Sequence, residues 1–114
     1  MIDMVLIELD NDSFEEKIYD DEETAAVVFS RKNCHVCKVV VPMVEELADS
    51  YTEREIGFYR VDVEDQPALY SRFPLKGVPS VLFFSEGEFK GRLSGEIEEE
   101  QVAEKIDGLL GSVA

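Results

Sequence analysis

Along the chain, apolar residues come either in short continuous runs or at every third and fourth position, and the two patterns alternate. A continuous run of four to eight residues reads as a strand buried on both faces. Three-and-four spacing puts apolar side chains on one face of a helix. The first run, Met4 to Leu9, predicts an edge strand. In the "DNDSFEEKIYD" that follows, Ser13 and Glu16 are spaced as a capping box for a short helix. "TAAVVFS", Thr24 to Ser30, predicts a central strand. From Cys34 to about Ser50, Val36, Val40, Met43, Val44 and Leu47 recur along one helical face. Pro42 lies inside this helix and removes a backbone donor, so a kink is predicted near Val39 to Pro42.

"IGFYRVDV", Ile56 to Val63, predicts a second buried strand, and "DQPALYSRF" a short helix with Pro67 in its first turn. "PSVLFFSEGEFKGRLSG" reads as a β-hairpin turning at Ser85 to Glu88, with Gly87 supplying a positive φ. The last segment, "EIEEEQVAEKIDGLL", predicts a helix whose acids suit its N-terminal dipole and whose apolar face is Val102, Ile106, Leu109 and Leu110. The order βαβαβαββα implies an α/β fold: a mixed sheet covered by helices on both faces.

A chain of 114 residues fits one domain, residues 1–114, and 45% hydrophobic with 32% charged residues is a globular composition. The opening "MIDMVLIELD" lacks the basic front and small-residue cleavage site of a secretory signal, and no run of about 18 apolar residues occurs. A cytoplasmic protein that spans no membrane is therefore expected. In that compartment thiols are kept reduced, so a structural disulfide is the weaker use of two cysteines. The net charge of −15 argues against nucleic acid and anionic membranes as partners. Its distribution adds something more specific. Thr24 to Val44 and Gln66 to Ser85 contain no acid, and these windows hold Arg31, Lys32, Lys38, Arg72 and Lys76.

The first of those windows contains "RKNCHVCKVV", with both cysteines and the only histidine. Structural zinc needs about four ligands, and one copy of this chain brings two cysteines and one histidine, leaving only a cluster shared between two copies. Inert core cysteines would leave the strand-to-helix position unexplained. Redox exchange explains it. A cysteine at a helix N-terminus faces unpaired amides and the positive end of the dipole, so its thiolate forms below the ~8.5 of a free thiol. Cys34 is then the nucleophile and Cys37 the resolving thiol, with Arg31, Lys32, Lys38 and His35 as candidate tuning charges.

In "NCHVCKVVVP" the cysteine pair, the lysine after it and Pro42, together with "VDVEDQP" and "FPLKGVPSVLFFSEGEFKGRLSG", resemble the thioredoxin family over nearly the whole chain. The resemblance implies the thioredoxin fold, with a central mixed sheet of about five strands. It also implies a thiol–disulfide oxidoreductase that needs no cofactor beyond the redox-active Cys34–Cys37 disulfide. Partners would be protein disulfides or thiols and a reductase such as a thioredoxin reductase, and the chain would act as a monomer. By the same resemblance the Val78–Pro79 bond is cis, and Gly77, Val78, Pro79 and Gly95 form the substrate-binding side, where an extended substrate pairs with the Val78 backbone. Two other readings stand beside this one: a glutaredoxin- or isomerase-like exchanger, and a redox-inactive adaptor binding through the same groove.

The chain also departs from the family pattern. Asn33 stands where the family has tryptophan, and His35-Val36 where it has Gly-Pro. Val28 takes the place of the buried acid that helps deprotonate the resolving thiol, so Arg60, at the position of that acid's usual lysine neighbour, is expected to point to solvent. His35 adjoins Cys34, and both a real electrostatic role and an exposed bystander are open. With the missing acid, it motivates an expected potential above the ~−270 mV of thioredoxin.

Overall fold

The computed structural model describes residues 6–73, 75 and 77–111. Five strands form one sheet in the order β1-β3-β2-β4-β5: β1 (Ile7–Glu8), β2 (Ala25–Ser30), β3 (Gly57–Asp62), β4 (Ser80–Ser85) and β5 (Glu88–Ser94). β3 runs parallel to β1 and β2, while β4 is antiparallel to both β2 and β5. The mixed sheet and the element order are those expected.

β2 lies in the middle and all six of its residues are buried. It can be apolar throughout because each of its faces meets a separate core. Ala26 and Val28 join Val40, Val44 and Leu47 of α2 (Cys37–Ala48) and Val102 and Ile106 of α4 (Glu99–Leu110). Val27 and Phe29 join Phe14, Ile18 and Leu69 on the opposite face, which is covered by α1 (Asn11–Phe14) and α3 (Pro67–Arg72). The apolar faces read from the sequence for α2 and α4 are the faces that pack.

Several local expectations are corrected. β1 is shorter than the apolar run suggests, and Met4 and Val5 lie outside the described residues. The first helix starts earlier than expected, with Asp10 and not Ser13 as its N-cap. The Asp10 carboxylate accepts the Ser13 N–H at 2.8 Å, and the Ser13 hydroxyl accepts the Asp10 N–H at 2.8 Å. Aspartate and serine cap about equally well, and here the hydrogen bonds select Asp10; α1 then widens into a π-helical turn over Glu15–Asp20. α2 begins at Cys37 rather than Cys34, with Pro42 inside it, and tightens into a 3-10 turn at Asp49–Tyr51. The hairpin turn has two left-handed residues, Glu86 (φ 56°) and Gly87 (φ 76°), since a two-residue turn matching the twist of its strands needs positive φ at both. Among the described residues, no helix is long and apolar enough to cross a membrane.

Candidate active site

β2 ends at Ser30, residues 31–36 turn, and α2 starts at Cys37, so both cysteines sit at the C-terminal edge of the sheet. Their sulfurs are bonded, with Cα atoms 5.1 Å apart. Cys34 stands three residues before the helix rather than inside it, yet its sulfur accepts the Cys37 N–H at 3.1 Å. A side chain accepting the amide three residues ahead is the arrangement by which Ser or Asp caps a helix. Sulfur here takes the place of that oxygen, and in the reduced protein the same amide favours the Cys34 thiolate. Cys37 is the more covered of the two, at 3% exposure against 6%.

Gly77, Val78 and Pro79 come from the second acid-free window, and Gly95 directly follows β5. The Val78–Pro79 peptide bond is cis, and the Val78 carbonyl oxygen lies 3.9 Å from Cys34 Sγ. Ser80 Oγ donates to the Gly77 carbonyl at 2.8 Å, and Gly95 donates its N–H to the Pro79 carbonyl at 3.1 Å. Both glycines have positive φ, 126° at Gly77 and 79° at Gly95, and a Cβ at Gly77 would meet nothing within 4 Å. Gly77 is therefore set by its backbone conformation and not by crowding.

Electrostatically the site differs from its sequence neighbourhood. Arg31, Lys32, His35 and Lys38 are all exposed. Lys32 donates to Asp62 at 2.8 Å and Asp65 at 3.3 Å, and those two bonds raise its pKa. Burial works against ionising Asp62, but the Lys32 bond and the backbone N–H groups of Glu64 and Asp65 outweigh it and hold its pKa below the ordinary carboxylate value. The window around Cys34 is thus acid-free along the chain but not in space, because the turn after β3 brings carboxylates back. That turn carried a readable signal, since an Asp accepting the amide two residues on is an Asx-turn. Arg31, His35 and Lys38 form no side-chain hydrogen bond or ion pair among the described residues, and Lys76 lies outside them.

Arg60 corrects another expectation. It does not simply extend into solvent. Its Nη2 donates to Glu8 at 3.1 Å, and its Nε is buried without an acceptor. Arg60 pairs in register with the fully buried Val28, so the sheet carries an apolar side chain and no carboxylate at that position. Both Arg60 and Cys37 line an open cleft of about 370 Å³ between α2 and the sheet, which sequence reasoning had not anticipated. No group of three or more potential metal ligands occurs among the described residues.

The thioredoxin family model matches residues 5–108. The chain belongs to the thioredoxin family. It is 27% identical to a thioredoxin of Acidithiobacillus ferridurans, over 96% of this chain and all of that one. It is 32% identical to a chloroplastic M-type thioredoxin of Brassica napus, over 88% of this chain and 56% of the relative. The chain spans just over half the length of such chloroplastic relatives. A solved mutant thioredoxin of Halobacterium salinarum superposes with a TM-score of 0.80, covering 96% of this chain and 95% of that one at 21% identity, a likeness of fold. The thioredoxin fold and the disulfide-bonded C-x-x-C pair thus agree with family membership.

Proposed function

We propose that this member of the thioredoxin family is a thiol–disulfide oxidoreductase acting on protein disulfides. The observation that carries the reading is the Cys34 sulfur held by the Cys37 amide at 3.1 Å and lying 3.9 Å from the Val78 carbonyl. The Cys34 thiolate attacks one sulfur of a substrate disulfide, breaking that bond, releasing one substrate thiolate and forming a mixed disulfide. Cys37 then loses its proton and attacks Cys34 Sγ. The second substrate sulfur departs and takes up a proton, two electrons have passed to the substrate, and the Cys34–Cys37 bond is restored. Gly77, Val78, Pro79 and Gly95 seat the extended substrate, and backbone pairing at Val78 supplies register without demanding a sequence. Arg31, Lys38 and His35 act on Cys34 through solvent; Lys32 contributes less, because two carboxylates hold its charge. The protein works as a monomer in the cytoplasm and is reduced by a flavoprotein of the thioredoxin reductase kind.

A redox titration in glutathione buffers, read by alkylation mass shift, tests the reading. A single two-electron transition is expected, at a potential above ~−270 mV. A pair that never changes state across the accessible range would instead mark an adaptor.

A further inference from the structure

The cleft beside Cys37 has a composition that exchange chemistry alone does not require. Four cations line it, Arg31, Lys32, Lys38 and Arg60, against two carboxylates, Glu45 and Asp62. This excess stands in a chain whose net charge is −15. The internal pairings sharpen it. Asp62 is already engaged by Lys32 and by two backbone amides, so it neutralises little else. Arg60 is likewise held, donating to Glu8 at 3.1 Å, which leaves Arg31 and Lys38 as the lining cations with no carboxylate partner among the described residues.

We propose that this cleft is a subsite for a carboxylate of the substrate, an acidic side chain close to its reactive disulfide. This rests on the exchange reading and deepens it by naming a substrate class. In an extended substrate, side chains two residues apart share a face and stand about 6.6 Å apart. Cys37 lines the cleft and is bonded to Cys34, so an acid two positions from the cysteine that Cys34 attacks is placed by this proposal at the cleft's mouth. There Lys38 and Arg31 meet its charge. Glu45 is the one opposing charge left open, so it weakens the preference it borders.

The test uses three synthetic peptide disulfides that differ only in the residue two positions from the reactive cysteine: Glu, Gln or Lys. Each oxidises the fully reduced protein, and rapid quench with alkylation gives the second-order rate constants. At low salt the Glu peptide is expected to react about three- to tenfold faster than the Lys peptide, with the ratio shrinking as salt screens the exposed charges. The Glu-to-Gln ratio should fall in Lys38→Gln and in Arg31→Gln and rise in Glu45→Gln. Every peptide meets the same thiol, so these ratios cancel any change a variant makes to the thiolate itself. A Lys peptide as fast as the Glu peptide would overturn the subsite, as would a Glu preference that survives both cation variants unchanged. The Gln peptide keeps the two readings apart. If it reacts, exchange stands whatever the ratios show; if no peptide reacts, exchange fails and the subsite fails with it.

Discussion

The two ends of the sheet each carry an open cleft, and the two differ in size and in charge. At the C-terminal end of β2 lie the dithiol, the start of α2 and a cleft of about 370 Å³ with excess positive charge. The other end has the larger cleft, about 560 Å³, where Asp21, Glu22, Glu23 and Glu55 outnumber Arg54. Its groups are tied to one another. The Tyr59 hydroxyl donates a hydrogen bond to Glu23, and a Cβ on Gly57 would stand 2.6 Å from the Tyr59 ring. Size therefore does not mark the reactive end. What marks it is a sulfur under a helix amide, beside a backbone carbonyl and near cations with no internal partner.

The comparison can be broken by exchanging roles: changes at the dithiol end should alter chemistry and leave stability, and changes at the far end should do the reverse. The largest effect is expected at the cysteines. Cys34→Ser should abolish exchange, while Cys37→Ser should still attack and accumulate mixed disulfides visible by mass spectrometry; equal trapping by both would reverse the assigned roles. Next, Gly57→Ala should lower the unfolding free energy by about 1–3 kcal/mol, since the tightly packed Tyr59 must shift, while the alkylation rate of Cys34 stays as it was.

A third effect is set by pH. Burial first, then its 2.8 Å bond to Asp107, pushes the Tyr51 phenol up to about 12, and burial and the Glu23 bond likewise raise Tyr59. The folded state then keeps phenolic protons that the unfolded chain releases near 10, so stability should fall as pH rises from about 10 to 12. Tyr51→Phe should flatten part of that fall in denaturant titrations, and an unchanged slope would remove Tyr51 from the account. The smallest effect belongs to Lys32→Met. Because Asp62 and Asp65 already hold its charge, the melting temperature should move by no more than about 2 °C and the Cys34 alkylation profile should barely shift.

The same contrast separates what was legible in the sequence from what was not. β2, β3 and the hairpin were readable because continuous or alternating apolar runs have few other uses, and the dithiol because its spacing and strand-to-helix position restrict its chemistry. The α1 cap was misplaced by three residues because Asp10 and Ser13 both suit the role, and only the hydrogen bonds decide between them. The Lys32 clamp lay hidden because it joins residues thirty positions apart. Arg60 was misread because its outcome depends on Glu8, which reaches it across the parallel pairing of β1 with β3. Local chemistry was written locally, while the charges that temper it are tertiary.

The central claim is that the Cys37 amide and the start of α2 make Cys34 an activated nucleophile. The pH dependence of alkylation of Cys34 in the reduced protein, resolved from Cys37 by peptide mass mapping, tests it most directly. A midpoint clearly below the ~8.5 of a free thiol is the expected result, and a midpoint at or above that value would contradict the claim.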